Sequence, residues 1–97
     1  MAGYVIANYR VTNPEGYAKY GPAVVPTIAA YGAEVLVVDP QSEAAEGEPA
    51  NVMIVLKFPS KDAARAWYNS PEYQAIIHLR QDNTEGFLAF ADGWVAP

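Results

Sequence analysis

The segment Asn51 to Phe58, NVMIVLKF, is apolar on both of the faces that a strand presents. Val52, Ile54, Leu56 and Phe58 fall on one side, and Met53 and Val55 on the other. An antiparallel sheet with one wet face alternates apolar and polar residues, and this segment does not. Two more segments share the property. Tyr4 to Val11, YVIANYRV, sets Val5 and Ala7 against Tyr4 and Ile6. Ala33 to Asp39, AEVLVVD, sets Val35 and Val37 against Leu36 and Val38. A sheet built from such strands has to be covered twice.

Helical patterns lie between the strands. After the first, Pro14 suits an N1 position, and Asn13 before it is a candidate cap. Tyr17, Tyr20, Val24, Ile28 and Tyr31 then recur at spacings of three and four, with Pro22 and Pro26 interrupting. A kink or two abutting pieces is expected, stopped at Gly32. PQSEAAEGEPA is a polar loop before the third strand. Ser60 caps an expected helix from Lys61 to about Tyr68, and Ser70-Pro71 starts another to about Gln81. QDNTEG reads as a turn and Phe87 to Val95 as the last strand. The order predicts one α+β domain over residues 1–97: a ferredoxin-like βαββαβ sandwich, with a four-stranded antiparallel sheet and its helices on one face. The simplest cover for the other face is a second copy, so a homodimer is expected.

Composition narrows the function classes. Over half the 97 residues are hydrophobic (52%), which fits a partner-covered surface. There is no cysteine, which excludes disulfides and thiolate chemistry. The net charge is −5 and the six cations are scattered, so a nucleic-acid partner is not expected. No signal peptide or membrane span is legible, and a cytoplasmic location is expected.

FPSKDAARAWYNSPEYQ reads as a strand end, a capped helix, a corner and a second capped start. Ala63 and Ala64 allow close approach to the sheet and Trp67 fills the space beside them. Core packing is preferred here to an aromatic reaction centre. This block, with NPEGYAKY upstream and EGE before the third strand, resembles the small bacterial proteins of family 1330 of the domains of unknown function. The resemblance spans nearly the whole chain and is most specific from Phe58 to Arg80. It implies the dimeric α/β-barrel superfamily, in which two ferredoxin-like sheets close into one barrel. That superfamily includes cofactor-free monooxygenases, lactone isomerases, haem-degrading enzymes and stress-related proteins, so the resemblance implies no single reaction. The chain departs from the family pattern where it has Glu34 in place of a basic residue and Lys57 in place of an acidic one. The exchange is suited to a charge swap across paired strands.

His78, the only histidine, is the candidate catalytic base, with a tyrosine as the alternative group for handling protons; the plainer reading of His78 is a partly exposed helix residue. No metal site or cofactor is expected. Arg80 continues the apolar stripe of Tyr73, Ile76 and Ile77. A guanidinium there reaches solvent, pairs with a carboxylate such as Asp62 or Glu85, or holds an anionic ligand. Asn8 and Arg10 share a face of the first strand and are candidate pocket groups. Tyr17, Tyr20 and Tyr31, with Trp67 and Tyr73, complete the candidate ligand-binding set, although aromatic stripes at helical spacing are usually core. Three functions follow. One is a homodimeric binder of a small apolar or aromatic metabolite. Another is a cofactor-free monooxygenase- or isomerase-like enzyme on a small aromatic or lactone-like substrate. The third is haem binding through His78, against which the acidic surface weighs.

Overall fold

The computed structural model describes residues 1–97. The elements run β1 (Gly3–Val11), α1 (Pro14–Tyr17), α2 (Tyr20–Ala30), β2 (Glu34–Asp39), β3 (Val52–Phe58), α3 (Lys61–Tyr68), α4 (Pro71–Gln74), α5 (His78–Gln81) and β4 (Thr84–Asp92). The strands form one antiparallel sheet in the order β2-β3-β1-β4. This is the ferredoxin-like α+β arrangement expected from the strand and helix order.

The register decides which strand positions share a face. Val5 stands between Leu56 and Phe90, and Ala7 between Ile54 and Leu88. That face is covered by the helices. Val5, Leu56 and Phe58 are buried there against Tyr20, Val24 and Ile28 of α2, Ala64 and Trp67 of α3, and Tyr73 and Ile77 beyond them. Tyr9, Ala7 and Val52 extend the core at one end. On the opposite face an apolar row crosses all four strands: Val37, Val55, Ile6 and Ala89 are successive register partners. No helix covers it. Met53 and Phe87 flank the row, and Phe87 is 55% exposed.

Four local expectations need correction. The tyrosine stripe breaks between α1 and α2, at Ala18 and Lys19, and not at either proline. Pro22 explains the position: it has no N–H to give to the Ala18 carbonyl and its ring crowds that turn, so a helix entering from Pro14 ends there. Pro22 itself then sits in the first turn of α2, where an N–H would have had no partner. Asn13 makes no side-chain cap, although its backbone carbonyl accepts from the Tyr17 N–H at 3.0 Å. The last helix is two short pieces, α4 and α5. Through the gap the bonds shorten to a three-residue reach, from Ile76 N–H to Tyr73 O and from Leu79 N–H to Ile76 O. Two adjacent β-branched residues, Ile76 and Ile77, stand at this tightened turn. β4 also starts earlier than expected, at Thr84, and ends at Asp92.

In β2 the register jumps between Val35 and Val37. Val35 pairs with Leu56 and Val38 with Ile54, so both belong to the helix-covered side, while Val37 pairs with Val55 on the other. Simple alternation put Val35 and Val37 together; a bulge at Leu36 separates them.

Two caps hold as read. Ser60 Oγ accepts from Ala63 N–H at 3.0 Å, and Ser70 Oγ accepts from Tyr73 N–H at 3.2 Å. Ser70 also donates to the Trp67 carbonyl at 2.7 Å and is buried. Ser60→Ala is expected to cost about 0.5–2 kcal/mol in urea denaturation, and Ser70→Ala more than Ser60→Ala because the Tyr73 N–H that it strands is buried. Equal losses would contradict that order.

Candidate functional site

Between the helices and the sheet lies a cavity of about 210 Å³. Its floor is Val5, Ala7 and Tyr9 of β1, with Ile54, Leu56 and Leu88 beside them. Tyr17, Tyr20, Val24 and Ile28 form the helical wall, Trp67 lies across from it, and Val25, Val35 and Val38 form an exposed rim. The one charged residue among the lining residues is Arg80.

The tyrosines are tied in two hydroxyl pairs. Tyr9 and Tyr17 share a hydrogen bond at 2.6 Å, and Tyr20 and Tyr73 one at 2.7 Å. Trp67 donates its indole N–H to Thr27 Oγ1 at 3.0 Å, and its ring lies 4.1 Å from that of Tyr73, centroid to centroid. These bonds consume the polar tips and leave the ring faces to line the space.

Arg80 comes from α5 and is buried, only 7% exposed. Its Nε–H donates to Tyr73 Oη at 3.3 Å. It has no carboxylate partner. Glu85 pairs with Arg10 across the sheet, Asp62 with Arg65 along α3, and Asp92 with Lys61. The internal ion pair considered for Arg80 with Asp62 or Glu85 is therefore not formed. Neither terminal nitrogen is hydrogen-bonded to a carboxylate or carbonyl oxygen. No side-chain nitrogen or oxygen is sealed from solvent without a partner, and the Tyr20 hydroxyl is a further neighbour of the guanidinium. Burial works against the charge of Arg80, but the Tyr73 and Tyr20 oxygens more than offset that and its pKa is raised. The side chain is a permanent cation.

Burial is also the main cause that pushes the hydroxyls of Tyr9 and Tyr20 above the ordinary value of 10.0, aided by the bonds to Tyr17 and Tyr73. Both stay phenols at neutral pH. The unfolded chain would ionise them near pH 10, so the folded state holds extra protons above that pH. Their contribution to stability is full below about pH 10 and declines as the pH rises from there toward the raised folded values. The urea midpoint is expected to fall between pH 8 and pH 11, and to fall less in a Tyr9→Phe, Tyr20→Phe double variant. Equal falls in both proteins would refute this.

The structure brings together Tyr17, Tyr20, Trp67 and Arg80 of the residues singled out from the sequence, with Tyr73 directly behind Arg80. It sets the others apart. Asn8 and Arg10 project from the helix-free side of β1. The Asn8 carboxamide donates to the carbonyls of Ala50 and Val52 and accepts from Ala50 N–H, so it fastens the start of β3. Arg10 is exposed. Tyr31 packs on the core edge, outside the cavity wall. His78 is exposed and also outside it, so a planar ligand or porphyrin in the cavity would meet no imidazole. Tyr9 was missed, although its parity with Val5 and Ala7 was there to be read.

Solved structures share this architecture. A protein of unknown function from Rhodopseudomonas palustris superposes with a TM-score of 0.80 at 17% identity, covering 98% of this chain and 84% of that one. A dimeric protein of unknown function with a ferredoxin-like fold from Bacteroides fragilis gives 0.58 at 12% identity, covering 95% and 96%. SnoaB, a cofactor-independent oxygenase from Streptomyces nogalater, gives 0.59 at 10% identity, covering 98% and 95%. At such identities the likeness is one of fold. No curated protein sequence matches the chain. The family profile that does match covers residues 2–94, nearly its whole length, and the chain belongs to that family: the domain of unknown function DUF1330.

Proposed function

We propose that the protein is a homodimer in which each protomer binds a small aromatic or apolar acid as its anion. The observation that carries this reading is Arg80: a buried guanidinium without a carboxylate, in the wall of an otherwise apolar cavity. Buried charges are ordinarily paired, and an unpaired one leaves the counter-ion to be supplied from outside. The cavity's size supports the ligand class. A cavity of roughly 150 Å³ accepts benzene, and 210 Å³ accommodates such a ring with a carboxylate-sized substituent. The ring faces of Tyr17 and Tyr20 supply the stacking surface, and the guanidinium supplies a planar fork for the carboxylate.

The lining does not favour the enzymatic reading through His78. It contains no His, Asp, Glu, Cys or Lys, and Tyr9 and Tyr20 are held as phenols, so the wall offers no base at neutral pH. Homodimerisation is supported by the uncovered apolar row on the other sheet face and by the dimeric ferredoxin-like neighbour.

Arg80→Met separates binding from structure. Replacing a buried cation that has no carboxylate by an apolar side chain of similar length is expected to leave the melting temperature unchanged or raised. A charge-assisted pair is worth about 1.5–3 kcal/mol, so benzoate should bind roughly ten- to a hundredfold more weakly to the variant. Calorimetry and thermal shift with benzoate, salicylate and benzamide read both effects. If no aromatic carboxylate stabilises the wild type, the proposal fails.

A further inference from the structure

Arg80 lines two spaces. Besides the apolar cavity, it borders an open and mostly polar crevice with Tyr68, Gln81, Thr84, Gly86 and Leu88. Only Arg80 and Leu88 belong to both. Arg80 thus stands in a partition: rings and valines on one side, mostly polar groups on the other.

One position in the crevice wall admits only glycine. At Gly86, β4 runs so close to β1 that an added Cβ would lie 2.2 Å from the Asn8 carbonyl oxygen, and the φ of 152° is itself unsuited to other residues. Gly86 therefore borders the crevice with backbone alone. Thr84 turns its hydroxyl to the Arg80 carbonyl at 2.7 Å. The acids nearest in sequence, Asp82 and Glu85, do not line the crevice, and Glu85 is held by Arg10. An anion arriving there meets no carboxylate in the lining.

We propose that the crevice is a second subsite, for a small planar oxyanion of the carboxylate or bicarbonate class, separable from the ring subsite and filled from the opposite side. An apolar molecule enters past Val25 and Val38, the oxyanion enters past Gln81 and Thr84, and the two meet at one guanidinium. A planar oxyanion matches the fork geometry with two parallel bonds, which a tetrahedral one matches less well. The inference rests on Arg80 as the anion anchor of the proposed function, and adds that the anion need not be part of the ring-bearing molecule.

Fluorobenzene, followed by fluorine NMR, reports the ring subsite. The Arg80 Nε–H resonance reports the anion. Acetate and bicarbonate are expected to shift that resonance, with fluorobenzene still bound, while chloride at equal ionic strength does not and phosphate does so less. Benzoate should displace both probes. Gln81→Trp, at the exposed crevice rim, should weaken acetate at least tenfold and leave fluorobenzene unchanged. Val25→Trp, at the cavity rim, should do the reverse. Displacement of fluorobenzene by acetate would overturn the proposal, as would an acetate effect lost in Val25→Trp and kept in Gln81→Trp. If benzoate binds through Arg80 but acetate and bicarbonate leave the resonance unmoved, the second subsite fails and the proposed function stands. If benzoate also fails to bind, both fall.

Discussion

Trp67→Ala is expected to remove about 3–5 kcal/mol of stability, a large share of the ~5–10 kcal/mol that a chain of this size commands. Trp67 is 1% exposed and is the hub of the aromatic core. Its ring centroid lies 4.1 Å from that of Tyr73, 5.6 Å from Phe58 and 6.4 Å from Tyr68. Those three partners come from α4, β3 and the end of α3, so one ring joins the sheet to both helical segments that follow it. Its N–H bond to Thr27 adds α2. Truncation opens a void adjoining the existing cavity, which makes collapse around it harder. Trp67→Phe keeps much of the volume and loses mainly the bond to Thr27, and should cost about 1–2 kcal/mol. Urea denaturation followed by circular dichroism measures both. A loss under about 1 kcal/mol for the alanine variant would show that the sheet and helices are held elsewhere.

Val55→Asp is expected to leave the fold intact and abolish the dimer. Val55 lies mid-row on the helix-free face, between Val37 and Ile6. A carboxylate there costs little in a monomer, where it is hydrated. Buried in a two-fold interface it costs about 3 kcal/mol for each protomer, and symmetry doubles the penalty. Roughly 6 kcal/mol corresponds to a ten-thousandfold rise in Kd. The neighbouring residue supplies the control. Leu56 is 3% exposed and faces the helices, so Leu56→Asp should unfold the chain. Light scattering and circular dichroism on both variants separate assembly from folding. A wild-type protein that is monomeric at micromolar concentration would end the dimer reading, and so would a Val55→Asp protein that remains dimeric.

Strand patterning carried most of the fold, because apolar periodicity reports burial directly. Val52, Ile54, Leu56 and Phe58 share a face in the structure as they do in the sequence. The exchange of charge at Glu34 and Lys57 was also legible, since the two are register partners at the end of β2 and β3. The site was less so. Alternation says that Asn8 and Arg10 go together and that Tyr9 goes with Val5, but not which set the helices cover; that depends on tertiary packing. Arg80 was found because a cation interrupts an apolar helical stripe. That it has no acid partner was not readable, since it depends on where Asp62 and Glu85 are held by other arginines. Two abutting pieces were expected before Gly32 and are present, but the break falls before Tyr20 and not at a proline, because the effect of Pro22 is felt four residues upstream, at Ala18. The bulge at Leu36 left no mark in a run of four apolar residues that all look alike.

That bulge shapes the rim of the cavity. By shifting the register it puts both Val35 and Val38 at the rim, on a strand whose every residue is exposed and whose hydrogen-bonded neighbour is β3 alone. An edge strand interrupted by a bulge is a part of a sheet that opens easily. If the cavity holds the proposed ligand, a brief parting of β2 from β3 would widen its mouth without a hinge or a rearranged helix. Entry would then be limited by the weakest seam of the sheet, and a second chain lying along β2 would slow exit without touching the ligand.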